Sequence, residues 1–171
     1  MSGTRPDEPS PDDAWLPRQA LVVGLARSGR AAAAALARRG VHVVAADSSP
    51  DADAGRLGEL GVELQLGTEE EALLEGVDLV VKSPGVPAES GPVAVARRRG
   101  VPVWSEVELG YRLLPAGSHL IGVKGTNGKT TTTELLGAIF RSAGLPVEVA
   151  GNVGRALTDA ALVAEEGSWI V

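Results

Sequence analysis

From Gln19 onward, short apolar runs alternate with stretches of helical spacing, and this alternation constrains the fold more than any other feature of the chain. Residues 20–23, 41–46 and 77–81 are apolar runs of strand length. Strands that alternate with helices form parallel sheets whose two faces are covered by those helices. Aromatic residues make up only 3% of the chain, so the core must consist of Val, Leu, Ile and Ala, which suits such a sheet. The sequence therefore predicts an α/β fold with a Rossmann-like, doubly wound parallel sheet.

The boundaries of the elements follow from the apolar runs, the glycine stops and the capping residues. We predict that Ser28 and Ser105 cap the first and the last helix that pack on this sheet. The predicted strands lie at 20–23, 41–46, 62–66, 77–81 and 101–104, and the predicted helices at 28–39, 52–60, 69–75, 91–99 and 105–114. After the loop at 115–118 the alternation resumes. It predicts strands at 120–123, at 146–150 and from 169, and helices at 131–143 and 155–166.

The same pattern divides the chain into three parts. Residues 1–17 contain four prolines and four acidic residues with almost no apolar side chains, so this segment is expected to be a disordered tail. Residues 18–115 are predicted to form a Rossmann-like domain, and residues 116–171 to begin a second α/β domain. Because the chain stops inside the apolar run that begins at Trp169, we expect the second domain to be truncated.

Composition excludes several classes of function. A net charge of −6 argues against broad binding of nucleic acid or of anionic membranes, both of which need a dominant basic field. The chain has no cysteine, which excludes disulfides and thiol catalysis and is compatible with the cytoplasm. No apolar run approaches the roughly 20 residues that cross a bilayer, so no membrane insertion is expected. Small anionic ligands remain compatible with this composition.

A glycine-rich loop between a predicted strand and a predicted helix carries the clearest chemical signal. The loop consists of Gly125, Thr126, Asn127, Gly128, Lys129, Thr130 and Thr131. In such a loop the backbone amides and the helix N-terminus face an anion, Lys129 reaches the β- and γ-phosphates, and the Thr130 hydroxyl coordinates Mg²⁺. Val123 stands where the strict Walker pattern has glycine, and an ordinary strand–turn–helix junction is the alternative. The loop predicts that residues 116–171 begin a P-loop ATPase domain that binds ATP with Mg²⁺.

This loop resembles the ATP signature of the Mur ligases and folylpolyglutamate synthases, which use the shorter variant of the phosphate loop. Four further segments are similar to the D-glutamate-adding member of the Mur ligase family, namely 24–29, 83–87, 106–109 and 151–154. The resemblance runs from about residue 19 to residue 171. It implies an ATP-dependent peptide ligase of peptidoglycan synthesis that joins D-glutamate to UDP-N-acetylmuramoyl-L-alanine through an acyl phosphate. The alanine-adding relative, which usually has His at the position of Asn127, is the runner-up.

The resemblance also implies roles for particular residues. Residues 18–115 would bind the UDP substrate, with Arg27 and Ser28 near the diphosphate and Asp47 and Ser48 near the uracil. Ser83 and Gly85 would offer further contacts, and Asn152 would face the muramoyl portion. Lys129 and Thr130 would act in phosphoryl transfer, with Thr130 as a metal ligand. The family's metal-binding glutamate, carbamylated lysine and C-terminal domain would lie beyond residue 171. We therefore expect this chain to be inactive alone, and we expect a monomer.

Two other classes of function stay open from the sequence. A glycine-rich turn at 24–29 with Asp47 after the second strand is also typical of nicotinamide dinucleotide sites, although Ala26 replaces the middle glycine of that fingerprint. An NAD-linked oxidoreductase would leave the loop at 125–131 unexplained. A non-catalytic nucleotide-binding module is the second alternative, because the chain lacks part of the expected catalytic machinery.

Overall fold

The computed structural model describes residues 15–68, 70–151 and 154–171. Its larger sheet has five parallel strands in the spatial order β3-β2-β1-β4-β5. The strands are β1 (Gln19–Val23), β2 (His42–Asp47), β3 (Glu63–Leu66), β4 (Leu79–Lys82) and β5 (Val103–Ser105). The helices that pack on it are α1 (Arg27–Ala37), α2 (Gly91–Arg98) and α3 (Glu106–Leu113). The predicted doubly wound parallel sheet is confirmed.

The central strand β1 shows why this sheet is covered on both faces. Ala20 and Val22 point into one core cluster, together with Leu36 of α1 and Leu109 of α3. Leu21 and its neighbours on the opposite face belong to a second cluster, which includes residues of α2. Because successive side chains of a strand alternate between faces, an all-apolar strand requires a helical layer on each side.

A smaller sheet follows, with three parallel strands in the order β6-β8-β7. Its strands are β6 (His119–Leu120), β7 (Val147–Glu148) and β8 (Trp169–Ile170), and its helices are α4 (Lys129–Ser142) and α5 (Leu157–Ala161). The Trp169 ring stacks against His119 at 4.6 Å and against Phe140 of α4 at 4.7 Å between ring centroids. These stacked rings join β6, β8 and α4 into one packed unit.

Several predicted elements are shorter in the structure. The predicted helices at 52–60 and 69–75 are wrong, because only short 3-10 turns form there, at Leu57–Leu60 and Glu71–Leu74. The predicted helix at 155–166 shrinks to α5, and the strands predicted at 120–123 and 146–150 shrink to β6 and β7.

The predicted cap at Ser28 is also wrong. Helix α1 already begins at Arg27, and its N-cap is Ala26, which makes no side-chain capping bond. The second predicted cap is confirmed, because the Ser105 hydroxyl accepts a hydrogen bond from the Glu108 amide at 3.1 Å.

The predicted tail falls mostly outside the described residues, since 1–14 are not described. Its last part is packed against the core. The Trp15 ring lies 5.6 Å from the Trp104 ring, and the Arg112 guanidinium stands 4.3 Å above the centre of the Trp104 ring. Leu16 also packs against the first core cluster. Trp15 and Leu16 are therefore part of the folded structure, contrary to the prediction of a disordered tail over 1–17.

Candidate functional site

A cavity of about 620 Å³ opens at the carboxyl ends of β1, β2 and β4. The connections leave β1 in opposite directions at this point, because β2 lies on one side of β1 and β4 on the other. Open α/β sheets bind their ligands at such a switch point. The lining residues include Gly24, Ala26, Arg27, Ser28, Asp47, Ser48, Ser83, Pro84, Gly85, Val86, Gly151, Gly154 and Ala156. The fold thus brings together the six described residues that the sequence assigned to the UDP-substrate site; the seventh, Asn152, lies outside the described residues.

The first wall of the cavity is the tight turn between β1 and α1. Gly24 has a φ of +88°, and a Cβ on Gly29 would lie 1.8 Å from the Gly24 carbonyl oxygen. The Ser83 hydroxyl donates to that same oxygen at 2.7 Å and is buried. Glycine at both positions therefore lets α1 start directly above the end of β1, and Ser83 ties the turn to the β4 loop.

Asp47 supports the same turn from the end of β2. One of its carboxylate oxygens accepts a hydrogen bond from the Leu25 amide at 2.7 Å, and the other accepts one from the Ser49 amide at 2.9 Å. The carboxylate thus orders both loops that border the cavity. It is half-buried, with Ser48 beside it on the exposed rim.

Arg27 and Ser28 form the first turn of α1, where unpaired backbone amides favour an anion. The N-cap residue, Ala26, makes no side-chain hydrogen bond to those amides. The exposed Arg27 side chain donates a hydrogen bond from Nη1 to the Gly154 carbonyl at 2.7 Å. This contact joins the larger sheet to the loop that follows β7. The cavity therefore has a cationic wall that combines parts of both sheets.

Another wall of the cavity is the loop after β4. The Lys82 ammonium donates to the Ser83 carbonyl at 3.2 Å and to the Val86 carbonyl at 2.9 Å, which fixes the course of this loop. Gly85 is exposed, and no atom lies within 4 Å of where its Cβ would stand. Sequence reasoning missed Lys82, although a lysine at the end of a buried strand, just before a loop already assigned to the site, was a usable signal.

The glycine-rich loop leads directly into α4. Gly128 has a φ of +78° and is the N-cap of α4, which begins at Lys129. The Lys129 ammonium donates to the Gly125 carbonyl at 2.7 Å and to the Thr126 carbonyl at 3.4 Å. All residues from 125 to 131 are exposed. The Lys129 side chain thus folds back onto the glycine-rich loop.

A second cavity of about 320 Å³ lies beside this loop. Lys129, Thr130 and Glu134 line it together with apolar residues of the smaller sheet. Gly151 lines both cavities, so the two spaces share a wall. Among residues 15–68, 70–151 and 154–171, no group of three or more His, Cys, Asp or Glu side chains is placed to hold a metal ion. The role of Thr130 as a metal ligand stays a prediction.

The class of fold is shown by solved structures that share it. A murein peptide ligase from Psychrobacter arcticus superposes with a TM-score of 0.59 at 19% identity, covering 90% of this chain and 37% of its own. The UDP-N-acetylmuramate–alanine ligase from Thermotoga maritima gives a TM-score of 0.50 at 21% identity, over 76% of this chain and 30% of its own. At these identities the likeness concerns the fold, which is that of the Mur ligases.

The family follows from sequence. The family model described as "Mur ligase MurD-like, N-terminal domain" matches residues 18–105, and the chain belongs to this family. The UDP-N-acetylmuramoylalanine–D-glutamate ligase of Solibacter usitatus is 46% identical over 153 residues, which cover 90% of this chain and 34% of that protein. The ligase of the same name from Rubrobacter xylanophilus is 50% identical over 142 residues, with 82% and 32% covered. The chain thus spans about a third of the length of these relatives.

No helix in the described part of the chain is both long and apolar enough to cross a membrane.

Proposed function

We propose that this chain supplies the nucleotide-handling part of an ATP-dependent ligase that adds D-glutamate to UDP-N-acetylmuramoyl-L-alanine in cytoplasmic peptidoglycan synthesis. Residues 18–115 form the domain that binds the uridine nucleotide, and residues 116–171 begin the domain that binds ATP. The observation that carries the proposal is the shared wall at Gly151 between the cavity at the sheet switch point and the cavity beside the glycine-rich loop. A carboxylate and a γ-phosphate bound in adjoining spaces are the two groups that this reaction must bring together.

The uridine subsite rests on the chemistry of the first cavity. The first turn of α1 and the Arg27 guanidinium provide the positive field that a diphosphate needs, and Ser28 adds a hydroxyl donor. Asp47 and Ser48 stand at the far rim, where a base held at the end of β2 would meet them. Ser83 and Gly85 contribute the loop after β4, and Asn152 is the proposed contact to the muramoyl group. The proposed ligand is a single copy of the sugar nucleotide on a monomer.

ATP would act by turning a poor electrophile into a good one. Transfer of the γ-phosphoryl group to the substrate carboxylate forms an acyl phosphate, and attack by the amine of D-glutamate then releases phosphate. Residues 125–131 would cradle the phosphates with their backbone amides. Lys129 would leave the carbonyls of Gly125 and Thr126 to stabilise the charge on the transferring group. The Thr130 hydroxyl would be one ligand of Mg²⁺, which would neutralise charge on the phosphates.

The test is an NMR titration of the isotopically labelled chain with UDP and, separately, with ATP and Mg²⁺. We expect UDP to shift the amides of Ser28, Asp47 and Gly85 most, and ATP to shift those of 125–131. An Arg27→Ala variant should weaken UDP binding, whereas Arg38→Ala, at the other end of the same helix, should not. UDP shifts that avoid Ser28, Asp47 and Gly85 would refute the uridine assignment.

A parallel titration with NADH decides between this proposal and an oxidoreductase. The Asp47 carboxylate already accepts two backbone amides, and Ala26 places a side chain on the turn that a dinucleotide would have to cross. We therefore expect no saturable NADH binding at concentrations at which UDP saturates. Tighter binding of NADH than of UDP would favour the oxidoreductase.

A further inference from the structure

Glu106, the first residue of α3, is a buried carboxylate that the proposed chemistry does not use. Its side chain is 3% exposed, and its Oε1 accepts hydrogen bonds from the Thr158 amide at 2.7 Å and from the Thr158 hydroxyl at 2.8 Å. Thr158 is fully buried on α5. A carboxylate is costly to bury unless hydrogen bonds replace its water, and here both bonds come from one residue of another helix.

These bonds supply a cap that α5 lacks. The helix has only five residues, its N-cap is Ala156, and no side chain of its own segment caps it. Thr158 is the second residue of the helix, so its amide is one of the donors that a helix leaves unpaired. Helices this short are not stable by themselves. Glu106 thus caps α5 from a different part of the fold.

The two helices are closely packed around this bond. A Cβ on Gly110, one turn further along α3, would lie 2.7 Å from Leu157 Cγ and 2.9 Å from the Leu157 carbonyl carbon. The α3 backbone at Gly110 therefore packs directly against the Leu157 side chain of α5. Glu106 and Gly110 together fix where α5 begins.

Residues just before α5, Gly154 and Ala156, line the first cavity. The Gly151 amide donates to the carbonyl of Arg155, the residue before the N-cap of α5, at 2.8 Å. The Gly154 carbonyl accepts the hydrogen bond from Arg27. Glu106 therefore holds Thr158, and residues 154–156, which lead into the same helix, contact the Arg27 guanidinium through that carbonyl.

We propose that Glu106 is a positioning residue of the nucleotide cavity. It caps α5 through Thr158, and it thereby holds Gly154 where that carbonyl aligns Arg27 with the bound diphosphate. The inference about ligand affinity rests on the proposed function, whereas the inference about the position of Arg27 does not.

The test measures UDP affinity by calorimetry and the Arg27 Nε–H and Gly154 amide resonances by NMR. Glu106→Ala should shift both resonances and weaken UDP binding about ten-fold, the scale of one hydrogen bond from the Arg27 guanidinium to the diphosphate. Glu106→Gln, whose amide oxygen still accepts, and Thr158→Ser, which keeps the hydroxyl, should stay close to the unmodified chain. Thr158→Val, which keeps the amide but loses the hydroxyl, should give a UDP affinity between those of Glu106→Ala and the unmodified chain. Glu108→Ala is the matched control, because this half-buried glutamate lies on the same helix and its side chain forms an ion pair with Arg112 instead of contacting α5.

A double variant separates positioning from general stability. In an Arg27→Ala background, Thr158→Val should cost no further UDP affinity, because its effect passes through the missing guanidinium. Additive losses, or a lower melting temperature with unchanged Arg27 and Gly154 resonances, would overturn the proposal. If the unmodified chain fails to bind UDP, the proposed function fails. The two resonances then decide the positioning role alone, with a shift in Thr158→Val supporting it and no shift refuting it.

Discussion

The two sheets of this chain differ in how many of their side chains, and of those of their helices, are buried. The larger sheet has residues such as Leu21 and Val80 fully enclosed between two helical layers. The smaller sheet has strands of two residues, and only Gly137 is buried in its helix α4. On that helix Leu135 and Ile139 are 59% and 54% exposed. Among the described residues, the proposed uridine subsite thus lies on the more buried sheet, and the glycine-rich loop borders the less buried one.

Local stability follows from buried apolar contacts, so this difference predicts which parts of this chain open most easily. In the proposed function, Lys129 would leave the Gly125 carbonyl to meet a phosphate. The residues around Arg27, in contrast, are held by the tight turn at Gly24 and Gly29. For this chain, we therefore expect higher local stability around the first cavity than in the glycine-rich loop.

The largest expected effect comes from adding one methyl group to a helix glycine in each region. In Gly29→Ala the new carbon would lie 1.8 Å from the Gly24 carbonyl oxygen, a backbone atom that cannot retreat without breaking the turn. We expect a loss of about 4 kcal/mol or more in the free energy of unfolding. In Gly137→Ala the carbon would lie 2.5 Å from Val149 Cγ2, a side-chain atom that can rotate.

For Gly137→Ala, the higher helix propensity of alanine offsets part of the crowding, so we expect a change within about 1 kcal/mol. Urea unfolding followed by circular dichroism measures both variants. Equal losses in the free energy of unfolding would contradict the difference described above. They would mean that α4 packs against the smaller sheet as tightly as α1 packs against the larger one.

The next effect concerns leucines of the same size in opposite environments. Leu36 of α1 is fully buried in the core between α1 and the sheet, and Leu36→Ala should cost about 3 kcal/mol through lost transfer energy and a cavity. Leu135→Ala on α4 should change stability by no more than about 0.5 kcal/mol, because its side chain is mostly exposed.

Hydrogen exchange provides an independent measurement of the same contrast. Amides of β1 and β4 should exchange at the rate of global unfolding, whereas those of α4 should exchange through local opening. Protection of α4 equal to that of β1 would contradict the view that its support is weak.

The sequence predicted the larger sheet well because its signal is local and repeated. All-apolar strands such as 20–23 leave few alternatives, and Gly40 and Gly100 mark the ends of α1 and α2. The helix predicted at 52–60 failed because a tertiary contact competes with it. Asp53 is held by Arg30 of α1, and its carboxylate accepts the Gly55 amide at 2.8 Å, while Gly55 has a φ of +54°. A helix cannot pass through that conformation.

The site was predicted in part for the same reason. The carboxyl ends of parallel strands meet at one edge, so Asp47 and Ser83 could be placed together from the strand order alone. The link between Glu106 and Thr158 could not be found in this way, because 52 residues separate them and no strand pairing brings them together. The contact of Arg27 with Gly154 spans 127 residues and is equally invisible to local patterns.

A third effect tests whether the two subsites are independent. Lys129→Ala should lower the affinity for ATP with Mg²⁺ about ten- to a hundred-fold, since a charge-assisted contact to phosphate is lost. It should leave UDP affinity unchanged, because Lys129 does not line the first cavity. Calorimetry with each nucleotide measures both.

Lys124→Ala is the matched control for Lys129→Ala, since this lysine precedes the loop but does not line the second cavity. Thr130→Val, which removes a hydroxyl at nearly constant volume, should reduce the dependence of ATP binding on Mg²⁺. A Lys129→Ala variant with normal ATP affinity would remove the phosphate loop from the proposed role.

The smallest effect is a pH dependence in the segment where the sequence-based helix prediction failed. The hydrogen bond from the Gly55 amide, and then the neighbouring Arg30 guanidinium, lower the pKa of Asp53 below its ordinary value of 3.8. Because the folded pKa is the lower one, the contribution to stability is present above about pH 4 and is lost as the pH falls through the folded pKa. The group is exposed, so water and salt screen the effect.

Carbon-detected NMR titration of the Asp53 carboxyl measures this shift directly. Arg30→Ala should raise the pKa only part of the way to 3.8, because the Gly55 amide, the larger cause, remains in place. Arg56→Ala is the matched control, since that arginine pairs with Glu59 instead. Complete return to 3.8 in Arg30→Ala would mean that the ion pair, and not the turn at Gly55, holds this segment against α1. The loss of the predicted helix at 52–60 would then have to be assigned to the arginine alone.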